Sequence, residues 1–205
     1  MQSTTTNSTG LKTTSKITTG PSEIHIYDNQ LNDALLDEVY LKIVERGGMA
    51  YPFFHVDKPQ DLDPTAQAVK KLVREAWFKV IPPKFWPRNG AAGWEVWHNV
   101  MYEGDNLDYH CDVDEKASEV VHPHMSCVIY CGPKNRITGG ELALDLNSQQ
   151  DYEFIRYKYN RIVLFSSHLP HQVMPVKYIP DKKQPRVAIS CPIWEHEISP
   201  NVQAY

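Results

Sequence analysis

The sequence predicts an α+β chain, mainly β, in which two N-terminal helices pack on one sheet of a two-sheet jelly roll. Two observations carry this expectation. Helical periodicity is confined to the first 80 or so residues, and β-rich runs follow from Gly93 onward. Helices followed by many strands are the pattern of an α+β domain, and antiparallel runs of this number close readily into two packed sheets. No internal repeat is found.

The elements follow in order. Residues 1–20 are rich in Thr and Ser, nearly free of large apolar groups and without an acidic residue. Such a segment buries too little surface to offset its ordering entropy and is expected to be a disordered tail, leaving residues 21–205 as a single domain. Its hydroxyl-rich, acid-free composition resembles a transit peptide, but it lacks arginine and amphipathic pattern. A short strand is predicted over Glu23 to Tyr27. A helix follows from about Asn29 to Arg46, with Leu31, Leu35, Val39 and Ile43 on one stripe and Gly47-Gly48 as its stop. A second helix opens with Asp63 as cap and Pro64 in the first turn. It turns Val69, Leu72, Val73, Ala76 and Val80 inward and is broken by Pro82-Pro83.

Strands are predicted over Gly93 to Glu103, Leu107 to Asp112, His124 to Cys131 and Gly140 to Leu146, then over Arg161 to Ser166, Gln172 to Tyr178 and Arg186 to Glu195. Each is rich in Val, Ile, Trp or Tyr, and clusters of Gly, Pro, Asn and Asp separate them. Gly139-Gly140 is a turn or close-packing device rather than a phosphate cradle, since no helix start follows it.

Composition narrows the function. A 205-residue chain with 41% hydrophobic residues can bury a sizeable core. Its formal charge of −4 offers no general field for nucleic acid. The sequence contains no apolar stretch near the roughly 20 residues that cross a bilayer and no secretory signal, so a cytoplasmic protein is expected. The four cysteines, Cys111, Cys127, Cys131 and Cys191, are not spaced as a disulfide scaffold and are expected to be buried thiols. A zinc site from Cys127, Cys131, His122 and His124 lacks the tight Cys-x-x-Cys knuckle.

His110-Cys111-Asp112 carries the chemistry. Residues two apart on a strand project from one face, so His110 and Asp112 can offer an imidazole nitrogen and a carboxylate oxygen to one ion. With His171 from a second strand they would form the facial two-histidine, one-carboxylate set of non-haem Fe(II) oxygenases. Arg186 adds a cationic fork suited to the far carboxylate of a chelating dicarboxylic acid. His168 competes with His171 but lies outside the His-x-Val-x-Pro-Val context. His122-Pro123-His124 offers a cupin-like pair, yet no glutamate follows it over Met125 to Tyr130. Trp94, Trp97, Tyr109 and Trp194 are expected in the core or the pocket wall.

From about Trp94 to Trp194 the sequence resembles the Fe(II)/2-oxoglutarate-dependent dioxygenase superfamily, and most its prolyl-hydroxylase-like branch. The matching pieces are Tyr102 and Gly104 in MYEGDNLDYHCDVD, MSCVIYC from Met125 to Cys131, Gly139-Gly140-Glu141-Leu142, RIVLFSSHLPHQVMPV from Arg161 to Val176, and PRVAISCPIW from Pro185 to Trp194. The resemblance implies a double-stranded β-helix with a metal at its open mouth. His110, Asp112 and His171 would hold Fe(II), and Arg186 would clamp the C5 carboxylate of 2-oxoglutarate. Tyr102 is the expected helper, while Ser190 shares the pocket face of the last strand with Arg186 and Ala188. Relatives that place Ser or Thr two residues after the arginine have a second anchor that Ala188 lacks. Dioxygen would be the co-substrate and ascorbate an accessory reductant. Asp112 argues for oxygen transfer, because related halogenases carry a small residue there.

The implied reaction hydroxylates an unactivated C–H bond and releases succinate and CO2. Candidate substrates are peptidyl proline first, then a free amino acid or small metabolite, with a non-catalytic metal- and 2-oxoglutarate-binding barrel as the non-enzymatic alternative. Residues 113–123 and the run from Gly48 to Asp63 are candidate lids.

Overall fold

The apolar residues sort into two main cores on either side of one large sheet, and this layering places the site. The computed structural model describes residues 14–19, 22–47, 50–114 and 116–198. Its N-terminal part comprises β1 (Thr14–Thr19), β2 (Ser22–Asp28), α1 (Asp33–Arg46), β3 (Ala50–His55) and α2 (Pro64–Glu75). Next come β4 (Gly93–Met101), β5 (Leu107–His110), β6 (Ser126–Gly132), β7 (Thr138–Gly139), β8 (Leu142–Asp145) and β9 (Tyr152–Ile155). The chain continues with β10 (Arg161–Phe165), β11 (His171–Val173), β12 (Val176–Tyr178), β13 (Arg186–Ser190) and β14 (Ile193–Trp194).

The major sheet runs β1-β2-β10-β6-β13-β4-β14, with β3 also paired to β4. A minor sheet runs β5-β11-β8-β9, and β12 pairs with β7. All these pairings are antiparallel. One core lies between the helices and the major sheet and contains Leu36, Val39, Leu72, Trp77, Trp94, Val96, Ile129, Val187 and Ile189. The other contains Ile24, Met101, Tyr130, Phe165 and Ala188 from the major sheet and Leu142, Leu144, Ile155 and Val173 from the minor one. Strand alternation explains the division: on β13, Val187 and Ile189 serve the first core and Ala188 the second.

Both helices are built from the signals that predict them. In α1, Asn32 caps the first turn by accepting from the Leu35 N–H at 3.1 Å, and Leu35, Leu36, Val39 and Ile43 are buried. The helix begins later than the expected Asn29, because Asn29 adopts a left-handed φ of 55° and the cap falls at Asn32. In α2, Asp63 accepts from the Thr65 and Ala66 N–H groups and Pro64 occupies the first turn. A π-helical turn, Ala76–Val80, then ends before Pro82-Pro83.

The strand expectations need four corrections. Residues 14–19 of the expected disordered tail form β1, paired with residues 22–27 of β2; residues 1–13 lie outside the described residues. The Thr and Ile content of TSKITT suits a strand. Part of the expected lid from Gly48 to Asp63 is β3, paired with β4. Gln172 to Tyr178 and Arg186 to Glu195 are each broken in two, at Met174-Pro175 and Cys191-Pro192, since proline donates no ladder hydrogen bond. Finally, β9 lies outside the expected strands; it pairs with β8 from Leu142↔Ile155 to Asp145↔Tyr152.

Asn160 ties α1 to the major sheet. It is 3% exposed and left-handed, with a φ of 57°. Its amide donates to the Leu31 carbonyl at 2.9 Å and to Asp33 Oδ1 at 2.7 Å, and its Oδ1 accepts from the Leu31 N–H at 3.1 Å. Asn160→Ala removes these bonds and puts a less tolerant residue at positive φ. We expect a loss of about 2–4 kcal/mol in denaturant unfolding.

His98 lies across β4 from the cavity-facing residues and is buried. Burial, assisted by the Arg46 charge, holds its imidazole down to about 3. Because the folded value lies below the unfolded value of about 6.5, this residue favours folding fully above pH 6.5 and progressively less as pH falls. His98→Gln is therefore expected to flatten the stability–pH curve between about pH 6.5 and 4 by up to about 1.4 kcal/mol per pH unit. Identical slopes for the two proteins in urea titrations would refute this.

Candidate active site

A single antiparallel pairing brings the candidate metal ligands together. His110 at the end of β5 stands opposite His171 at the start of β11, and a bulge follows before Val173 pairs with Leu107. Asp112 lies just beyond β5. One ligand atom from each of His110, Asp112 and His171 lies within 4.8 Å of the others. Asp112 Oδ1 is 3.9 Å from His110 Nε2 and 3.7 Å from His171 Nε2. Among the described residues this is the one cluster of three or more potential metal ligands.

The groups behind these ligands fit a divalent ion. His110 Nδ1 lies 2.7 Å from the Asp108 carbonyl and His171 Nδ1 lies 3.0 Å from the Leu169 carbonyl. A carbonyl only accepts, so each Nδ1 donates, and in the neutral ring each Nε2 lone pair is left for a metal. Burial pushes the His171 pKa down, which favours that neutral form; Asp112 opposes the shift. Ser126, fully buried at the start of β6, donates to Asp112 Oδ2. That bond leaves Oδ1 turned towards the two imidazoles.

These ligands open into a cavity of about 280 Å³, lined from the major sheet by alternate residues of β4, β6 and β13. Arg186, Ala188 and Ser190 all line it, as their shared parity predicts. Arg186 is 1% exposed. Its Nη1 donates to Met101 Sδ at 3.2 Å, its Nε has no hydrogen-bond partner, and no carboxylate pairs with it among the described residues. A buried guanidinium in that condition is costly unless an anion joins it. Gly140, at a φ of +66°, packs beneath it: a Cβ there would lie 3.0 Å from Arg186 Cδ and 3.1 Å from Nε.

Tyr102 is elsewhere. It is 49% exposed, just past β4, and does not line the cavity. The residues of β4 that face inward are Glu95, Trp97 and Asn99, so position 102 has the opposite parity. Two tyrosine rings lie beside the arginine, with centroids 5.2 Å (Tyr130) and 5.9 Å (Tyr157) from Arg186 Cζ, and the one that lines the cavity is Tyr130. Its buried hydroxyl has no hydrogen-bond partner of normal geometry. Burial pushes that hydroxyl up and the adjacent guanidinium pulls it back. Tyr130 could not be picked out by alternation, because β6 is buried on both faces.

The competing histidines lie outside the triad. His168 is exposed and lies tilted against His122 at 4.3 Å between ring centroids; His122 Nδ1 bonds the Asp112 carbonyl, and His124 pairs with Glu195 at 3.4 Å. Cys127, Cys131 and Cys191 are buried free thiols, and Cys111 lines the cavity. Trp94 and Trp194 are fully buried, Trp97 forms cavity wall, and Tyr109 is half exposed with its hydroxyl on Asp145.

Two imidazoles, one carboxylate and an anion-seeking arginine in one cavity define the class of a non-haem iron oxygenase. Residues 96–194 of this chain, which hold all four of these groups, match the family model of the 2OG-Fe(II) oxygenase superfamily. The match and the ligand cluster together support a 2-oxoglutarate-dependent non-haem iron dioxygenase that uses Fe(II), 2-oxoglutarate and dioxygen.

Solved structures share the fold at low identity. A Pseudomonas putida prolyl-4-hydroxylase is 14% identical over 84% of this chain and 92% of its own, with a TM-score of 0.58. A Trichoplax adhaerens prolyl hydroxylase, solved with a hypoxia inducible factor oxygen degradation domain peptide fragment, is 16% identical over 84% and 83%, with a TM-score of 0.56. The viral collagen prolyl hydroxylase of Paramecium Bursaria Chlorella virus-1, solved with 2OG, is 15% identical over 83% and 96%, with a TM-score of 0.51. Comparison with curated proteins finds no match.

Ser126→Ala is expected to weaken Mn(II) or Co(II) binding about ten- to a hundredfold while leaving the fold intact, as losses behind metal ligands do. Ser126→Thr should restore most of it. Equal metal dissociation constants for wild type and Ser126→Ala would remove Ser126 from this role.

Proposed function

We propose that the protein hydroxylates an unactivated C–H bond of its substrate and releases succinate and CO2. The observation that carries this is the convergence of His110, Asp112, His171 and Arg186 on one cavity. The two sheets, with the triad at one end of the space between them, fit the double-stranded β-helix form of the jelly roll. The metal would be held by His110 Nε2, Asp112 Oδ1 and His171 Nε2. Arg186 would take the C5 carboxylate of 2-oxoglutarate, with Tyr130 replacing Tyr102 as the helping hydroxyl and Ser190 further along the same face.

When bound, the ferrous ion with 2-oxoglutarate and dioxygen supplies an oxidant strong enough to break such a bond. The chain contributes binding and orientation. The carbonyl-bound histidines keep their Nε2 atoms fixed, Ser126 holds one carboxylate oxygen away from the metal, and the apolar walls formed by Leu107, Leu142, Val128 and Val173 keep bulk water from the reacting groups.

Peptidyl proline is the leading substrate class. It is supported by the fold shared with prolyl hydroxylases, one of them bound to a peptide fragment. A free amino acid is the second reading, favoured by the modest cavity volume. No helix of the described residues is long and apolar enough to cross a membrane, and we place the enzyme in the cytoplasm.

The test is incubation of purified protein, Fe(II), 2-oxoglutarate and ascorbate with proline-rich peptides and free amino acids, following succinate and the mass of one added oxygen. Product from amino acids alone would withdraw the peptide reading. Asp112→Ala should abolish turnover. Arg186→Ala should raise the 2-oxoglutarate KM about ten- to a hundredfold, the equivalent of losing a charge-assisted pair worth about 1.5–3 kcal/mol. Full succinate production by both variants would end this assignment.

A further inference from the structure

The outer side of α2 carries an open groove of about 470 Å³. Val69, Leu72 and Val73 of this helix face the core against the major sheet, while Lys71, Arg74, Phe78 and Lys79 are exposed. Lys71, Glu75 and Lys79 recur at four-residue intervals, as do Lys70, Arg74 and Phe78, and all six line the groove.

Charge in this groove is one-sided. Four cations stand against one carboxylate, and that carboxylate is engaged: Glu75 accepts from the Asn32 N–H at 2.8 Å and lies 3.5 Å from Lys79. Lys70 donates to the neutral Gln60 side-chain oxygen at 2.7 Å, and Arg74 donates to the Val56 carbonyl at 2.8 Å. Among the described residues Lys70, Lys71 and Arg74 have no carboxylate partner. Burial lowers the Lys70 pKa and the Arg74 charge adds to the shift, as neighbouring cations without an anion between them do. Phe78 adds an apolar element: it is 49% exposed, with Arg74 Cζ 4.6 Å from its ring centroid.

The charge of the whole chain selects among anionic ligands. The groove carries a net charge of +3 and the chain −4, so the rest of the molecule carries −7. A nucleic acid strand or an anionic membrane extends past the groove and is repelled by that surface. A short acidic segment ends within the groove. We propose that the groove docks an acidic peptide segment of a partner protein, with carboxylates on Lys70, Lys71 and Arg74 and an apolar side chain on Phe78. The catalytic cavity lies on the other face of the major sheet, so docking and catalysis use different faces, and the proposal stands apart from the dioxygenase reading.

The test is fluorescence anisotropy of the full chain at low ionic strength, with a short labelled peptide of glutamates and leucines and its glutamine counterpart. The glutamate peptide is expected to bind about tenfold more tightly, since three exposed ion pairs contribute a factor of about two each. Added salt should remove most of that difference. Lys71→Glu combined with Lys79→Glu should bring the ratio to about one or below, with an unchanged circular dichroism spectrum, because both side chains are exposed. Lys70→Gln combined with Arg74→Gln should do the same, which keeps the test available if the first pair does not fold.

Equal binding of the two peptides, or a ratio that both paired variants leave unchanged, would overturn the proposal. So would tighter binding of oligothymidylate of the same charge, or of phosphatidylserine vesicles, than of the glutamate peptide. A dimer seen in sedimentation of the wild type and dissolved by Lys71→Glu with Lys79→Glu would assign the groove to a second copy of the chain instead.

Discussion

The site depends on one strand register. His171 can face His110 only because β11 pairs with β5 at that position, and strand side chains alternate strictly between faces. A slip of one residue would carry His171 to the far side of the minor sheet and place Gln172 against the metal. Several features hold the register. β11 is also paired to β8 from His171↔Leu144 to Val173↔Leu142, and Leu142, Leu144 and Val173 are buried in the core between the sheets. A slip of β11 would turn Val173 out of that core. The hydrophobic core thus fixes a metal geometry to which it contributes no ligand.

The major sheet makes a complementary contribution by presenting different surfaces on its two faces. Val187 and Ile189 anchor β13 to the helix-side core, which leaves Arg186, Ala188 and Ser190 to form cavity floor. Close packing then limits the guanidinium: Met101 and Tyr130 lie against it and Gly140 against its stem. Little orientational freedom remains to be lost when an anion arrives, which is the physical meaning of a preorganised binding group. Trp94, Val96 and His98, on the other face of β4, are buried, and the helices above them brace the same strand that carries Glu95 and Trp97.

Much of this was legible in the sequence because it obeys short-range periodicity. The His-x-Asp spacing, the parity of Arg186, Ala188 and Ser190, the caps at Asp63-Pro64 and the alternation along residues 93–101 are local signals. What was hidden depends on pairing. Tyr130 lies in a run buried on both faces, so nothing local tells which side it takes; only its position opposite Ala188 does. Tyr102 stands next to a glycine turn inside a family-like string, and string similarity outweighed the parity that turns it outward. β3 and β9 are held by partners far away in the chain. The Ser126–Asp112 bond is equally nonlocal, joining residues whose sequence gives no reason to meet.

Cys111 lies between two candidate metal ligands, His110 and Asp112, and on the wall of the cavity. Burial, reinforced by the neighbouring Asp112 carboxylate, raises its pKa, so the thiolate is a smaller fraction at neutral pH than in a free cysteine. Peroxide and disulfides react with the thiolate rather than the thiol. The Asp112 carboxylate, a candidate metal ligand, therefore slows sulfenic acid formation at the adjacent sulfur, giving the wall chemical endurance against stray oxidants.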